Sequence, residues 1–169
     1  MKILKIPLIG FGIVIVLLAA TFFAAVQIIP ANRSFTNEID INAPAESVWN
    51  VVADQKRYTE WQTNLTRVEV IDDRHWIEYP RDSPDPLKFE QVVDERPTTM
   101  TFQYTMGNAF DGKWTGTMTP KGSGVHLVTI DRYATRGWFT KILVYLFFDY
   151  DKFAKDWNQN VRVRAEQRP

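Results

Sequence analysis

Three carboxylates, Glu78, Glu90 and Asp131, and two phenols, Tyr104 and Tyr133, are the groups here best suited to chemistry. Each sits in a stretch of alternating apolar and polar residues, which places it on a strand facing either solvent or an interior. A carboxyl turned into a cavity can act as a general acid or base, and a phenol can orient a polar head group. Alternation makes the solvent face the ordinary position for the carboxylates. Other chemistries are poorly served. With no cysteine, disulfides, thiolate catalysis, Cys-based zinc sites and a lipidated cysteine are excluded. His75 and His126 are the only histidines, and their spacing is not that of a metal pair. None of Ser34, Ser47, Ser83 and Ser123 lies in a Gly-x-Ser-x-Gly elbow. Gly107–Lys113 matches the first seven places of a phosphate-binding loop, but Trp114 replaces the Ser or Thr that would hold magnesium. A strand follows it, so the segment reads as a hairpin with turn glycines. No cofactor or metal is expected.

The aromatic residues carry more weight. Trp49, Trp61, Phe89, Phe102, Tyr104, Trp114, Phe147, Tyr150 and Trp157 fall on expected inward faces, with Met118 beside Trp114. They either pack as a plain core or line an apolar pocket, with Tyr104 and Tyr133 offering hydroxyls to a ligand. The candidate cavity is Trp49, Trp61, Phe89, Phe102, Tyr104, Trp114, Met118, Tyr133, Phe147 and Tyr150.

These residues need elements to hold them. Ser34–Ile41 alternates as a half-buried strand, and Pro44 opens a helix with Val48, Val51 and Val52 at helical spacing. A second short helical piece carries Trp61. About six strands follow, divided by Asp72-Asp73-Arg74, a Pro- and Asp-rich loop at 80–86, Arg96-Pro97, Gly107-Asn108 and Lys121–Gly124. From Trp138 an apolar stripe, Phe139, Ile142, Leu143, Leu146, Phe147, Tyr150, Phe153 and Trp157, predicts one continuous C-terminal helix. A run of antiparallel strands with helices at its ends predicts an α+β domain, a curved sheet with a long helix across its concave face. Val144 and Phe148 fall opposite the main stripe. Cover by the 80–86 loop, self-association and contact with a bilayer compete to explain them, and membrane contact is the expectation carried forward.

Ile6–Ile29 is uncharged, with only Thr21 and Gln27 polar, and is long enough to cross a hydrocarbon core. It is too long for the apolar region of a cleaved signal. Residues 1–32 are therefore expected to be a transmembrane anchor and residues 33–169 one domain. Lys2 and Lys5 put the N-terminus in the cytoplasm and the domain on the other side, periplasmic in a bacterium. Without those two lysines the chain holds 18 basic and 20 acidic residues, a balance that gives no footprint for nucleic acid. No juxtamembrane polybasic run is present to hold anionic lipid.

Residues 38–72, EIDINAPAESVWNVVADQKRYTEWQTNLTRVEVID, resemble the opening of the START-like SRPBCC superfamily, and within it the polyketide cyclase/dehydrase and lipid transport proteins. The strand ending at Ile41, Ala43-Pro44, Val48-Trp49, Trp61 and the Val68–Val70 strand carry the resemblance. It implies a helix-grip fold over about residues 34–165, with an apolar cavity for lipids, polyketides or other hydrophobic molecules. That family has no universal catalytic residues, so none is transferred. The leading reading is a non-catalytic, membrane-anchored binding or transfer domain whose partners are the lipid bilayer and a hydrophobic small molecule or lipid. A cyclase/dehydrase- or hydrolase-type enzyme and an interaction domain with a filled core are the alternatives. Oligomeric state is left open.

Overall fold

The structure, a computed structural model, describes residues 5–167. Residues 1–4 of the expected anchor and residues 168–169 of the expected domain lie outside that range. Helix α1 (Lys5–Ile28) is a 24-residue apolar rod, and only Ile29–Ala31 separate it from strand β1 (Asn32–Ile41). Helix α2 (Ala45–Ala53) and a 3-10 turn (Gln55–Glu60) precede β2 (Leu65–Val70), β3 (His75–Pro80) and β4 (Leu87–Glu95). Strands β5 (Thr99–Met106), β6 (Phe110–Lys121) and β7 (Gly124–Thr135) complete the sheet. Helices α3 (Trp138–Phe147) and α4 (Tyr150–Glu166) close the chain.

The seven strands are ordered β1-β7-β6-β5-β4-β3-β2, antiparallel throughout, so β1 pairs with the last strand. Tight connections account for the sequential pairings, and Gly107 and Gly122 take the positive φ their turns require. The expected hairpin at Gly107–Lys113 is one of them. One sheet face is covered by α2 and α4, as a helix-grip fold requires.

Two ends of this sandwich differ in chemistry. Away from α1, Val48, Val51 and Val52 of α2 meet Ile41, Met100, Leu127 and Val161, all essentially inaccessible to solvent. Pro44 starts α2, its carbonyl accepting from the amides of Ser47 and Val48. Toward α1, aromatic rings replace aliphatic ones.

The single C-terminal helix expected from the stripe is two helices. Phe148 adopts an extended conformation, and the Asp149 carboxylate accepts the Lys152 amide at 3.0 Å to cap a new helix. A 100°-per-residue count does not carry across that break, so the phases of α3 and α4 are independent. Phe147, expected inside, is consequently exposed, while Val144 turns half-buried toward the domain.

Candidate functional site

Inward positions alternate along the central strands and are matched by register: Tyr104 pairs with Gly112, which pairs with Tyr133, and Phe102 pairs with Trp114, which pairs with Asp131. Gly112 makes a reach across the sheet possible. A Cβ at that position would lie 2.2 Å from Tyr104 Cζ, so the bare backbone lets the Tyr104 ring lie over β6. Its hydroxyl thereby arrives at β7 and donates to Asp131 Oδ1 at 2.6 Å. Tyr150, the first residue of α4, brings a second hydroxyl to 2.9 Å from that of Tyr104.

Around this cluster the rings are continuous. Tyr150 stacks on Phe35 at 4.9 Å and on Tyr133 at 4.6 Å, and Tyr133 meets Phe110 at 5.0 Å. Phe110 and Phe89 flank Tyr104, and Trp76 stacks on Phe89 at 5.0 Å. Trp76 also meets Phe102 edge-on, and the chain of contacts passes through Trp114 and Trp157 to Trp61. Each such pair adds roughly 0.5–1.5 kcal/mol beyond the area it buries.

Burial sets the protonation states. It raises Asp131 above the usual carboxylate range, although the Tyr104 and Tyr150 hydroxyls oppose it. Burial likewise lifts Tyr104 and Tyr150 above the ordinary phenol value, so both remain neutral donors. Tyr133 is also raised by burial, with the Arg33 charge working the other way. The Tyr133 hydroxyl is buried, with the Arg33 side chain as a polar neighbour and no partner in good hydrogen-bond geometry. A second polar position lies farther along the ring chain. Glu78 accepts from Trp76 Nε1 at 2.9 Å, and burial pushes its carboxyl up to about 7. Gln62, after the 3-10 turn, is buried with its amide nitrogen unpaired.

This geometry, an apolar interior with a few convergent polar groups between a curved sheet and a helix, agrees with the comparison to known families. Residues 32–161 match the family described as polyketide cyclase / dehydrase and lipid transport. The chain belongs to that family. The resemblance seen in residues 38–72 thus extends over residues 32–161. No curated protein matches it in sequence. Solved structures share the fold. Norcoclaurine synthase from Thalictrum flavum, in complex with dopamine and hydroxybenzaldehyde, superposes with a TM-score of 0.65 at 14% identity, over 85% of this chain and 91% of the other. The Zhui aromatase/cyclase from Streptomyces sp. R1128 gives 0.66 at 15% identity, over 81% and 95%. A conserved protein from Geobacillus kaustophilus gives 0.67 at 12% identity, over 80% and 96%.

In this family member the residues expected from sequence divide into three groups. Phe89, Phe102, Tyr104, Trp114, Tyr133 and Tyr150 join one aromatic interior, and Trp61 reaches it through Trp157. Trp49 and Met118 take no part in that chain of ring contacts and are buried in the cluster that holds Val48, Val51 and Phe102. Phe147 lies outside, on the exposed face of α3. Of the carboxylates, Glu90 faces solvent as alternation suggests, while Glu78 and Asp131 point inward. His75 pairs with Asp72, and His126 with Asp40, both at the surface. No cluster of metal-ligating side chains occurs among the described residues. Sequence reading missed Phe35, Trp76 and Phe110. Their parity was the available signal, since each is an inward position of its strand.

Proposed function

We propose that this chain is a binding and transfer module for a hydrophobic, ring-bearing or lipid-like molecule, held at a membrane by residues 1–32, with residues 33–169 as the binding domain. The observation that carries this reading is the aromatic interior with its small set of convergent polar groups, the Tyr104–Asp131–Tyr150 cluster and the Tyr133 hydroxyl. The family and its aromatase/cyclase neighbour support a hydrophobic or aromatic cargo. Entry of cargo requires the rings around Tyr133 and Tyr150 to separate. The break at Phe148–Asp149 offers a hinge for that movement, because Tyr150 sits directly after it.

Gly10–Ile28 is long and apolar enough to span a bilayer, which supports the anchor. Lys2 and Lys5 then favour a cytoplasmic N-terminus and an extracytoplasmic domain. Tethering raises the local concentration of the binding site relative to lipid, an advantage for a carrier that exchanges cargo with the bilayer.

Native mass spectrometry with lipid extraction of the detergent-purified full chain tests the binding role. A stoichiometric apolar molecule, displaced in a Tyr133→Trp variant, is the expected result. A chain that carries no such molecule, and whose unfolding midpoint no hydrophobic ligand shifts, overturns it. The Tyr104–Asp131–Tyr150 cluster favours a second reading, cyclase-type chemistry with Asp131 as proton donor. Under that reading Asp131→Asn retains ligand and loses turnover.

A further inference from the structure

Helix α3 buries none of its ten residues, although Lys141 is its only charge. Phe147 is 78% exposed, Leu146 62%, Phe139 60% and Trp138 52%. A domain helix this apolar normally hides one face, so α3 is missing its cover. Its position identifies that cover. Trp138 packs edge-on against Phe22 of α1 at 5.9 Å between ring centroids. Phe22 lies six residues before the end of α1 at Ile28, about 9 Å along the helix axis. If α1 spans a bilayer, Trp138 lies at the depth where tryptophan belts concentrate, and the 10 residues of α3 cannot leave the interface.

The neighbouring surface has matching charge. On the outer sheet face, within two residues of the start of β1, lies an open basin of about 740 Å³. Lys113 and Arg132 face each other directly across β6 and β7 there, with Arg136 beside them. Like charges in register are unfavourable without a counterion. Asp111 is the only carboxylate lining the basin, and it already pairs with Arg136 at 2.6 Å. Among the described residues neither Lys113 nor Arg132 has an ion pair. Asn32, at the rim, is four residues past α1, so its Cα lies within about 14 Å of the helix end.

We propose that α3 is a second membrane element, lying half-immersed in the bilayer interface, while the Lys113–Arg132 basin holds the phosphates of anionic lipids. Lipid is favoured over a second copy or another protein because the patch is continuous with α1 and its flanking charge is cationic. The inference rests on the reading of α1 as a membrane span. It assigns the exposed face of α3, with Trp138, Phe139, Leu146 and Phe147, as the lipid-facing surface, while Val144 of the same helix lines a narrow seam with Ile29, Arg33 and Tyr133. Folding builds the cationic basin from separate strands, so no polybasic run announces it in the sequence.

Absence of cysteine makes single-site nitroxide labelling unambiguous. The full chain is reconstituted in nanodiscs of phosphatidylcholine with or without phosphatidylglycerol, labelled at Val16→Cys, Leu146→Cys or Ser123→Cys. Oxygen and nickel accessibility then report depth. Immersion of positions 16 and 146, with position 123 aqueous, is the expected result. Position 146 should lie deeper with phosphatidylglycerol present, and Lys113→Gln with Arg132→Gln should abolish that difference. An aqueous position 146 with position 16 immersed overturns the role of α3 and leaves the anchor standing. An aqueous position 16 overturns both. Dipolar coupling between two labels at 146 assigns the face to self-association and likewise overturns the proposal, and equal depth in the two lipid mixtures overturns the basin's part in it.

Discussion

The two halves of this domain bury different kinds of surface. Under α2, aliphatic side chains such as Met100, Leu127 and Val161 pack together, with Trp49 in the same buried cluster. Toward α1, flat rings stack around two carboxyls and three hydroxyls. Aliphatic packing is rigid because a removed methylene leaves a void that neighbours fill only partly. Stacked rings gain from their pairing beyond the area they bury, and polar groups among them gain where a ligand offers partners. The first half is therefore held chiefly by apolar packing, and the second is the half that the proposed binding role requires to open.

Removing side-chain volume from the aliphatic half should produce the largest effect. Met100→Ala is expected to cost about 2–5 kcal/mol, the range for truncating a fully buried methionine. Urea unfolding of the detergent-solubilised chain, followed by tryptophan fluorescence, measures it. A cost below about 1 kcal/mol would show that this half is also loosely packed, and the contrast would fail.

The aromatic half should respond to pH where the other does not. Burial raises Glu78 from 4.5 to about 7, so the fold prefers the neutral acid. The stability this contributes is complete below pH 4.5 and is lost as pH rises through about 7. Glu78→Gln preserves a neutral group of the same shape. It should raise stability by about 3 kcal/mol at pH 8 and leave it almost unchanged at pH 4. Identical pH profiles for the two proteins would mean that Glu78 is hydrated and the interior already open.

How much of this was legible beforehand follows from what sequence patterns encode. Alternation over TTMTFQYTM and the turn signals located the strands, and Ala43-Pro44 with Val48-Trp49 marked the family. Parity gave Tyr104, Trp114 and Tyr133 their inward faces. The inward carboxyls were overlooked although parity offered them, Asp131 lying two residues from Tyr133 and Glu78 two from Trp76, because the ordinary preference of a carboxylate for solvent outweighed it. The Tyr104–Asp131 bond was not legible, since it spans two strand pairings and depends on the missing side chain of Gly112. The helix break was partly legible: Asp149 followed by Asp151 is a helix-start pattern inside an unbroken apolar stripe. The stripe outweighed it, and Phe147 was consequently placed inside, where the structure has it exposed.

A smaller effect is expected where the polar cluster loses one bond. Tyr104→Phe removes the 2.6 Å hydrogen bond to Asp131 and keeps the ring. The loss should be about 1–3 kcal/mol, the range for leaving a buried acceptor short of a donor. Tyr150 can turn its hydroxyl to the same carboxyl, which places the expected value near the lower end. If stability is unchanged while a bound apolar molecule is lost, the cluster serves the ligand rather than the fold.

The smallest effect on stability is expected at α3, where it would be most informative. Phe147 is more exposed than any other residue of that helix, so Phe147→Ser removes little surface that folding buries. Unfolding of the detergent-solubilised chain should shift by no more than about 0.5 kcal/mol. A surface phenylalanine with no folding role is a cost to solubility unless something covers it, and here the helix that carries it touches the membrane-spanning candidate. Reconstituted in lipid, the same variant should therefore show α3 withdrawn toward water, although its fold is unchanged. A shift well above 0.5 kcal/mol in detergent would place Phe147 in a folded contact with the rest of the chain, and α3 would belong to the domain instead of to the bilayer.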